Sequence, residues 1–431
     1  MLQQVIDMAV AHGATDAMVS VNRSDGFTVD VRMREIEKIT FNSDVNINLV
    51  VYFDKRKASV SSTDMSLTAL EKLVIAACDI AKVSSVDPCF GLADRELMTT
   101  EHQDLNLYHP WHIEPTDAID LALQCENHAL ELDKRIVNSD GVSVSTHSYD
   151  YSYLNTHGGA GNVRGTNHSI SCSLVAQNNK GMQRDYDYST ACRAEDLLAP
   201  EKLAVNAVER TIKRLGARKI KTETLPVIFS SRVSSNLIHS FINAISGSNL
   251  YRKNSFLLDS LHQLIFPEWM NIYEQPRLLM ALGSAAFDGE GVATRDNIFV
   301  KNGCVEQYVL SSYSARKLNM QTTANSDGVH NLTVTANAKS LDDMVKSMHR
   351  GLVITELMGQ GVNLLTGDYS RGAYGFMVEN GAIQYPVEEI TIAGNLKTIF
   401  HKIIAIGNDI NSNIATRCGS ILVSDMMVAG S

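Results

Sequence analysis

The stretch from Gly351 to Asn395 constrains the fold more than any other part of the chain. It alternates short apolar or β-branched runs with glycines, a pattern typical of strands joined by tight turns. Within it, Asn380-Gly381 predicts a hairpin because both residues accept the positive φ values of a two-residue turn. Glycine inside strands also lets a second backbone approach closely. The stretch predicts a glycine-rich β region that either binds an extended peptide or packs on its own core.

The length of 431 residues predicts two or three domains. The fold class predicted is α+β, with an N-terminal α/β half over 1–220 and a glycine-rich β half over 221–431. In the first half the order helix, strands, helix occurs twice, separated by a Pro-containing connector over 84–115. Each set of strands has an early Ser-Asp-Gly turn, at 24–26 and 139–141, which suggests an internal duplication. Apolar periodicity predicts helices at Leu2–Ala11, Ser66–Val83, Thr116–Lys134, Pro200–Leu215, Val233–Ile245 and Leu341–Arg350.

Composition narrows the class of partner and the compartment. The formal net charge is −10 and no basic run is present, so nucleic acid is not expected as a partner. The seven cysteines are odd in number and form no CxxC pair, which favours a reducing environment over a disulfide framework. The N-terminus does not resemble a signal peptide, and no uncharged apolar stretch could span a bilayer. A cytoplasmic protein without a membrane partner is expected.

Catalytic motifs are scarce. The sequence contains no HExxH, HExxxH or GxSxG, and the His109/His112 pair lacks a carboxylate or helix to frame a metal site. The densest polar cluster is Asp368, Tyr369, Ser370 and Arg371. It either anchors a peptide terminus or partner chain, or forms a salt bridge and turn at a strand end. The residues alone leave both interpretations open.

The predicted helix Val233–Ile245 has one wide apolar face, with Leu237 and Phe241 among its members. His239 lies on the opposite, polar side. A histidine in such a position is ordinarily solvated or hydrogen-bonded.

Several long motifs resemble the PmbA family, also called TldE, and the likeness extends over essentially the whole chain. They are SARKLNM (Ser314–Met320), TELMGQGVN (Thr355–Asn363), TGDYSRGAYGF (Thr366–Phe376), ENGAIQYPVEEITIAGNLK (Glu379–Lys397) and IGNDI (Ile406–Ile410). This family is one half of the TldD/TldE protease system. The resemblance implies pairing with a TldD-type subunit whose HExxxH helix binds zinc. Together the two degrade or trim unfolded peptides, including bacteriocin precursors and an antitoxin. The older family label, modulator of DNA gyrase, does not imply DNA binding.

The chain departs from the TldD zinc motif in the helix described above. Aligned on that motif, one histidine remains as His239, Ser240 replaces the general-base glutamate, and Ala244 replaces the second ligand. The third TldD ligand, a cysteine, falls near Ile406 and not at Cys418. Catalytic zinc needs about three protein ligands and a carboxylate that activates water.

The sequence therefore predicts no metal or other cofactor in this chain, with zinc in the TldD-type partner and no hydrolysis of peptides by this subunit alone. The Gly359–Phe376 region, including Asp368–Arg371, is the predicted peptide-binding surface. A peptide-binding or regulatory homodimer without a proteolytic role is the alternative. An independent hydrolase that uses serine or another metal arrangement is a third interpretation.

Overall fold

The computed structural model describes residues 1–99, 103–338, 340–410 and 414–430. Up to Lys213 the chain forms one six-stranded antiparallel sheet packed against four helices. The helices are α1 (Leu2–Ala11), α2 (Leu67–Val83), α3 (Pro115–Leu132) and α4 (Pro200–Lys213). The strands are β1 (Asp16–Arg32), β2 (Glu35–Phe53), β3 (Arg56–Ser62), β4 (Ile136–Asn155), β5 (Ala160–Asn178) and β6 (Gly181–Ala191). The strand order is β3-β2-β1-β4-β5-β6.

All four helices pack on the same face of this sheet. Val19 and Val21 are buried with residues of α1 and α2, whereas Val29 and Val31 are buried with residues of α3 and α4. These valines are separated by even numbers of residues along β1, so their side chains point to one face. Each unit consists of one helix, three strands and a second helix. The two units meet where β1 pairs with β4. This symmetric order is the arrangement that the predicted duplication requires.

The two predicted Ser-Asp-Gly turns are wrong, because both segments lie inside long strands. Gly26 pairs with Asn42 on one side and His147 on the other. A Cβ atom at Gly26 would lie only 2.2 Å from the backbone oxygen of Thr146. The glycine therefore provides space for a neighbouring strand. Gly141 lies at a register shift within β4 and has a φ of +123°. It accommodates a β-bulge without reversing the chain.

The second half of the chain is built around a closed barrel. Its strands are β7 (Glu223–Phe229), β12 (Arg350–Met358), β13 (Asp368–Glu379), β14 (Ala382–Asn395) and β17 (Ile421–Ala429). The order is β14-β13-β12-β7-β17, and pairing between β14 and β17 closes the ring. Strand β15 (Ile403–Ile406) pairs with the first residues of β17. The predicted hairpin at Asn380-Gly381 is confirmed, with φ values of 52° and 72°.

A smaller sheet and five helices complete this half. The sheet has the order β10-β9-β8-β11-β16, with β8 (Ile272–Glu274), β9 (Asn297–Lys301), β10 (Cys304–Val305), β11 (Leu332–Val334) and β16 (Thr416–Arg417). The helices are α5 (Ser235–Ala244), α6 (Gly247–Tyr251), α7 (Ser312–Lys317), α8 (Leu341–Ser347) and α9 (Leu396–His401). The predicted helix Leu341–Arg350 is shorter than expected because β12 already begins at Arg350. No helix in the described ranges has the length and apolar character needed to cross a membrane.

Ion pairs join the sheet to the barrel. Asp185 on β6 contacts Arg214, which follows α4, at 3.5 Å and Arg232, which precedes α5, at 3.4 Å. The Arg214 guanidinium also lies 2.6 Å from a carboxylate oxygen of Glu356 on β12. This network connects the edge of the first sheet to two elements of the barrel, one of which leads directly into α5.

Candidate functional site

Helix α5 occupies the region where the sequence predicts a degenerate zinc helix. It follows β7 after a turn at residues 230–234, and its N-terminus lies beside the segment 416–420. Leu237 and Phe241 are completely buried in the main core of the barrel half, and the Phe241 ring contacts Phe266 edge-on at 4.8 Å. The apolar face predicted from periodicity is therefore the buried face. Asn236 and His239 lie on the polar side and provide the contacts to neighbouring elements.

His239 makes one specific polar contact. Its Nε2 atom lies 3.0 Å from Oγ1 of Thr416 on β16. His239 is exposed by its surface area. Nearby atoms nevertheless partly desolvate the imidazole, and this desolvation lowers the pKa of His239 below its ordinary value. The neutral imidazole that results uses its Nε2 atom for a hydroxyl group. His239 is thus a hydrogen-bonded histidine at the surface of the helix.

The other positions of the zinc motif provide no ligands. Ser240 is buried, and its hydroxyl group donates to the Asn236 carbonyl at 2.8 Å, a bond within the helix itself. Ala244 is completely buried, and so is Ile406, which pairs with Ile421. Two apolar side chains and an occupied hydroxyl cannot replace the nitrogen, sulfur and carboxylate donors that zinc requires. The residues at this site therefore do not fit a catalytic zinc ion.

Cys418 lies near the N-terminal end of α5. Its backbone oxygen is 3.5 Å from the Ser234 hydroxyl group, and its thiol is buried. Burial raises the pKa of the Cys418 thiol to about 12, which disfavours the thiolate form that binds metals. In the described ranges, no group of three or more His, Cys, Asp and Glu side chains is placed to bind a metal ion.

The predicted peptide-binding cluster lies on β13, and its members point to two faces. Asp368 and Ser370 are exposed, whereas Tyr369 is buried against the Phe229 ring. Arg371 is half-buried, and its Nη1 atom lies 3.3 Å from Oδ1 of Asn236 on α5. The alternation follows from the two-residue period of a strand. Only Asp368 and Ser370 are exposed enough for direct contact with a ligand, while Arg371 connects the strand to α5.

The loop before β13 folds back on this strand. The Ser370 backbone N–H donates to the Gly361 carbonyl at 2.7 Å, and the Thr366 hydroxyl group donates to the Asp368 carboxylate at 2.7 Å. A Cβ atom at Gly361 would lie 1.6 Å from the Ser370 backbone oxygen. The glycine therefore permits the close approach of the loop to the exposed side of the cluster.

Sequence reasoning missed two residues that shape this site. Thr416, the partner of His239, lies 177 positions away in the chain and carries no motif. Asp185 connects β6 to the turn before α5 through Arg232. It lies in the segment RDYDY (Arg184–Tyr188), which does not indicate which arginines the aspartate would contact.

Comparisons with known proteins agree over the whole chain. Family models match three regions: PmbA/TldA metallopeptidase domain 1 over 17–81, the central domain over 108–215 and the C-terminal domain over 222–430. The chain is 45% identical to Metalloprotease PmbA of Escherichia coli O157:H7, with coverage of 100% of this chain and 96% of the relative.

Two solved structures have the same fold. A protein from Bacteroides thetaiotaomicron described as a modulator of DNA gyrase is 27% identical, with a TM-score of 0.94 and coverage of 100% of this chain and 98% of its own. TldE from Thermococcus kodakarensis is 20% identical, with a TM-score of 0.87 and 99% coverage of both chains, and supports the fold alone. On the family models and the identity to PmbA, this chain belongs to the PmbA/TldD metallopeptidase family.

Proposed function

We propose that this chain is the metal-free subunit of a heteromeric zinc peptidase, active only with a TldD-type partner that provides the zinc ion. The supporting observation is the donor set of α5. Its single imidazole is hydrogen-bonded to Thr416, and the other motif positions are a buried serine and a buried alanine on α5 and a buried isoleucine on β15. A histidine alone cannot retain a catalytic zinc ion against water.

The role of this subunit is to form part of the chamber and to present extended peptide substrates. Main-chain hydrogen bonds to a strand or loop would provide affinity with little sequence preference, which suits unfolded peptides. The Gly359–Phe376 region, with Asp368 and Ser370 exposed on β13, is the proposed contact surface. Family substrates such as bacteriocin precursors and an antitoxin are the peptides of interest, and the cytoplasm is the proposed compartment.

The test compares the purified chain with the reconstituted pair. The chain is incubated with Zn²⁺ and an unfolded fluorogenic peptide, first alone and then with a TldD-type subunit. We expect cleavage only in the mixture, and loss of that cleavage when a chelator is added. Robust chelator-sensitive cleavage by the isolated chain would contradict the proposal. Native mass measurement of the mixture provides a second test, since an obligate self-dimer that ignores the partner would favour the regulatory homodimer.

A further inference from the structure

A cleft of about 280 Å³ lies between the edge of the first sheet and the end of β12. One wall contains Val175 of β5 with Met182 and Gln183 of β6. The other wall contains Glu356 and Met358 of β12. None of these residues belongs to α5 or to the cluster on β13. The cleft is therefore separate from the site described above, although the loop 359–367 continues directly from Met358.

The apolar residues that line the cleft are exposed and adaptable. Met182 is 63% exposed and Met358 is 45% exposed, and they line the cleft from opposite domains. Unbranched methionine side chains fit many partners, and such residues are common on surfaces that bind diverse peptides. Val175 adds a third apolar group. The cation at the rim, Arg184, is paired with Asp140 at 3.4 Å.

The polar lining of the cleft contains two acceptor atoms without a donor partner, beside the guanidinium of Arg214, which also lines the cleft. Oε2 of Glu356 is bound to Arg214 at 2.6 Å, whereas Oε1 has no hydrogen-bond partner among the described residues. The Gln183 amide nitrogen donates to Glu388 at 2.6 Å, which leaves the amide oxygen as an acceptor. The charge of Arg214 is already compensated, because Asp185 also contacts it. A donor or cation entering the cleft would therefore meet free acceptors.

We infer that this cleft binds a lysine or arginine side chain of an extended peptide. The aliphatic stem would lie between Met182 and Met358, and the charged end would donate to Glu356 and Gln183. Long basic side chains combine an apolar stem with a terminal cation, which matches a cleft lined by apolar side chains and free acceptors. β6 is also the last strand of its sheet, with β5 as its strand neighbour, so an adjacent peptide main chain can run along it. This inference rests on the proposed function, since it gives the peptide-presenting subunit a preference for basic residues.

The first test varies the peptide and leaves the protein unchanged. Fluorescence anisotropy is measured with labelled, unstructured decapeptides that differ at one central position: lysine, norleucine or glutamate. We expect the lysine peptide to bind about tenfold more tightly than the norleucine peptide, the difference that one charge-assisted hydrogen bond provides. The glutamate peptide should bind most weakly. Equal affinity for the three peptides would overturn the inference.

The second test varies the protein. Glu356→Gln should remove the preference for lysine over norleucine. The double variant Met182→Ser, Met358→Ser should weaken the binding of both peptides. Met427→Ser is the matched control, because Met427 is 47% exposed on β17 and does not line the cleft. Thermal unfolding of each variant identifies any variant that does not fold. If a variant fails to fold, the peptide series still tests the inference, because it uses the unchanged protein. A preference retained in Glu356→Gln would contradict the inference.

The outcome is distinguishable from that of the proposed function. Partner-dependent cleavage of a peptide without basic residues reports on the metal-free role alone. If such cleavage occurs while lysine and norleucine peptides bind equally, the cleft inference fails and the proposed function remains. If the isolated chain cleaves peptides, the proposed function fails regardless of the binding data.

Discussion

Nε2 of His239 lies 3.0 Å from Oγ1 of Thr416, so the histidine of α5 is bonded to a hydroxyl group from a strand far away in the sequence. The contact is a hydrogen bond between a side chain of α5 and a side chain of β16. Such a bond contributes modestly to stability, because in the unfolded chain both groups bond to water instead. The residue can therefore be changed without loss of the fold.

His239→Ala is expected to leave partner-dependent peptide cleavage and the zinc content of the complex unchanged. The free energy of unfolding should fall by less than about 1 kcal/mol, since one exposed hydrogen bond is lost. Cleavage rate, bound zinc and thermal unfolding are the measurements. A reconstituted complex that loses zinc together with activity would contradict the assignment of His239 as a non-ligand.

Restoring the motif is expected to fail. In the double variant Ser240→Glu, Ala244→His, the imidazole replaces a completely buried methyl group, and overpacking of this kind costs about 1–3 kcal/mol or more. We expect a lower melting temperature and less than one bound zinc ion per chain by elemental analysis. Asn243→His, on the exposed side of α5, is the control and should be tolerated. One tightly bound zinc ion per chain in the double variant would refute the prediction.

Arg214→Met is expected to destabilise the contact between the sheet and the barrel. Arg214 and Asp185 are both buried, and removing one partner of a buried pair costs about 3–5 kcal/mol. The retained contact between Arg232 and Asp185 places the expected loss at the lower end of that range. Chemical denaturation measures the change.

A matched control for this variant exists at the surface. Arg350 contacts Glu223 at 2.7 Å and Glu379 at 2.6 Å, but Arg350 is exposed and the two glutamates are only partly buried. Arg350→Met should cost no more than about 1 kcal/mol, because water and salt screen such pairs. Equal losses in the two variants would show that burial does not decide the strength of the Arg214 network.

The stability of the chain is expected to depend on Asp288 between pH 4 and pH 7. Burial and the nearby charge of Glu290 raise the pKa of Asp288 to about 7. A raised folded pKa means that the folded state binds more protons than the unfolded state, so this contribution falls as pH rises through 7. Asp288→Asn should remove up to about 4 kcal/mol of that pH dependence.

The measurement for Asp288 is the thermal midpoint at pH 5 and pH 8 in the two proteins. Backbone N–H groups of Glu290 and Val292 donate to the Asp288 carboxyl group at 2.9 and 3.0 Å, and an asparagine oxygen can accept both. The Ser326 N–H, which donates to the other carboxylate oxygen at 3.1 Å, loses its acceptor in the variant. We expect the variant to fold with a stability loss that is the same at both pH values, which the comparison between pH 5 and pH 8 removes. If the thermal midpoint changes by the same amount between pH 5 and pH 8 in both proteins, the raised pKa of Asp288 does not contribute to the pH dependence of stability.

The local elements of this protein are determined by its sequence. Apolar periodicity correctly predicted α1 and the apolar face of α5, which ends one residue before the predicted end. The hairpin at Asn380-Gly381 was predicted because two adjacent positive φ values require those residue types. Serine, alanine and isoleucine at positions 240, 244 and 406 are not zinc ligands, so the prediction that this chain binds no zinc rests on the sequence alone.

Only the tertiary structure decided how distant segments meet. The Ser-Asp-Gly segment at Gly26 has the composition of a turn, but a neighbouring strand passes so close that glycine is needed inside β1. Closure of the barrel by β14 and β17, the contact of His239 with Thr416, and the two arginines at Asp185 all join residues far apart in sequence. Periodicity encodes which face of one element is buried, whereas pairing between elements depends on the combined packing of many residues. For this reason the sequence predicted local elements such as α1 and the hairpin at Asn380-Gly381, but the cleft between β6 and β12 required the folded chain.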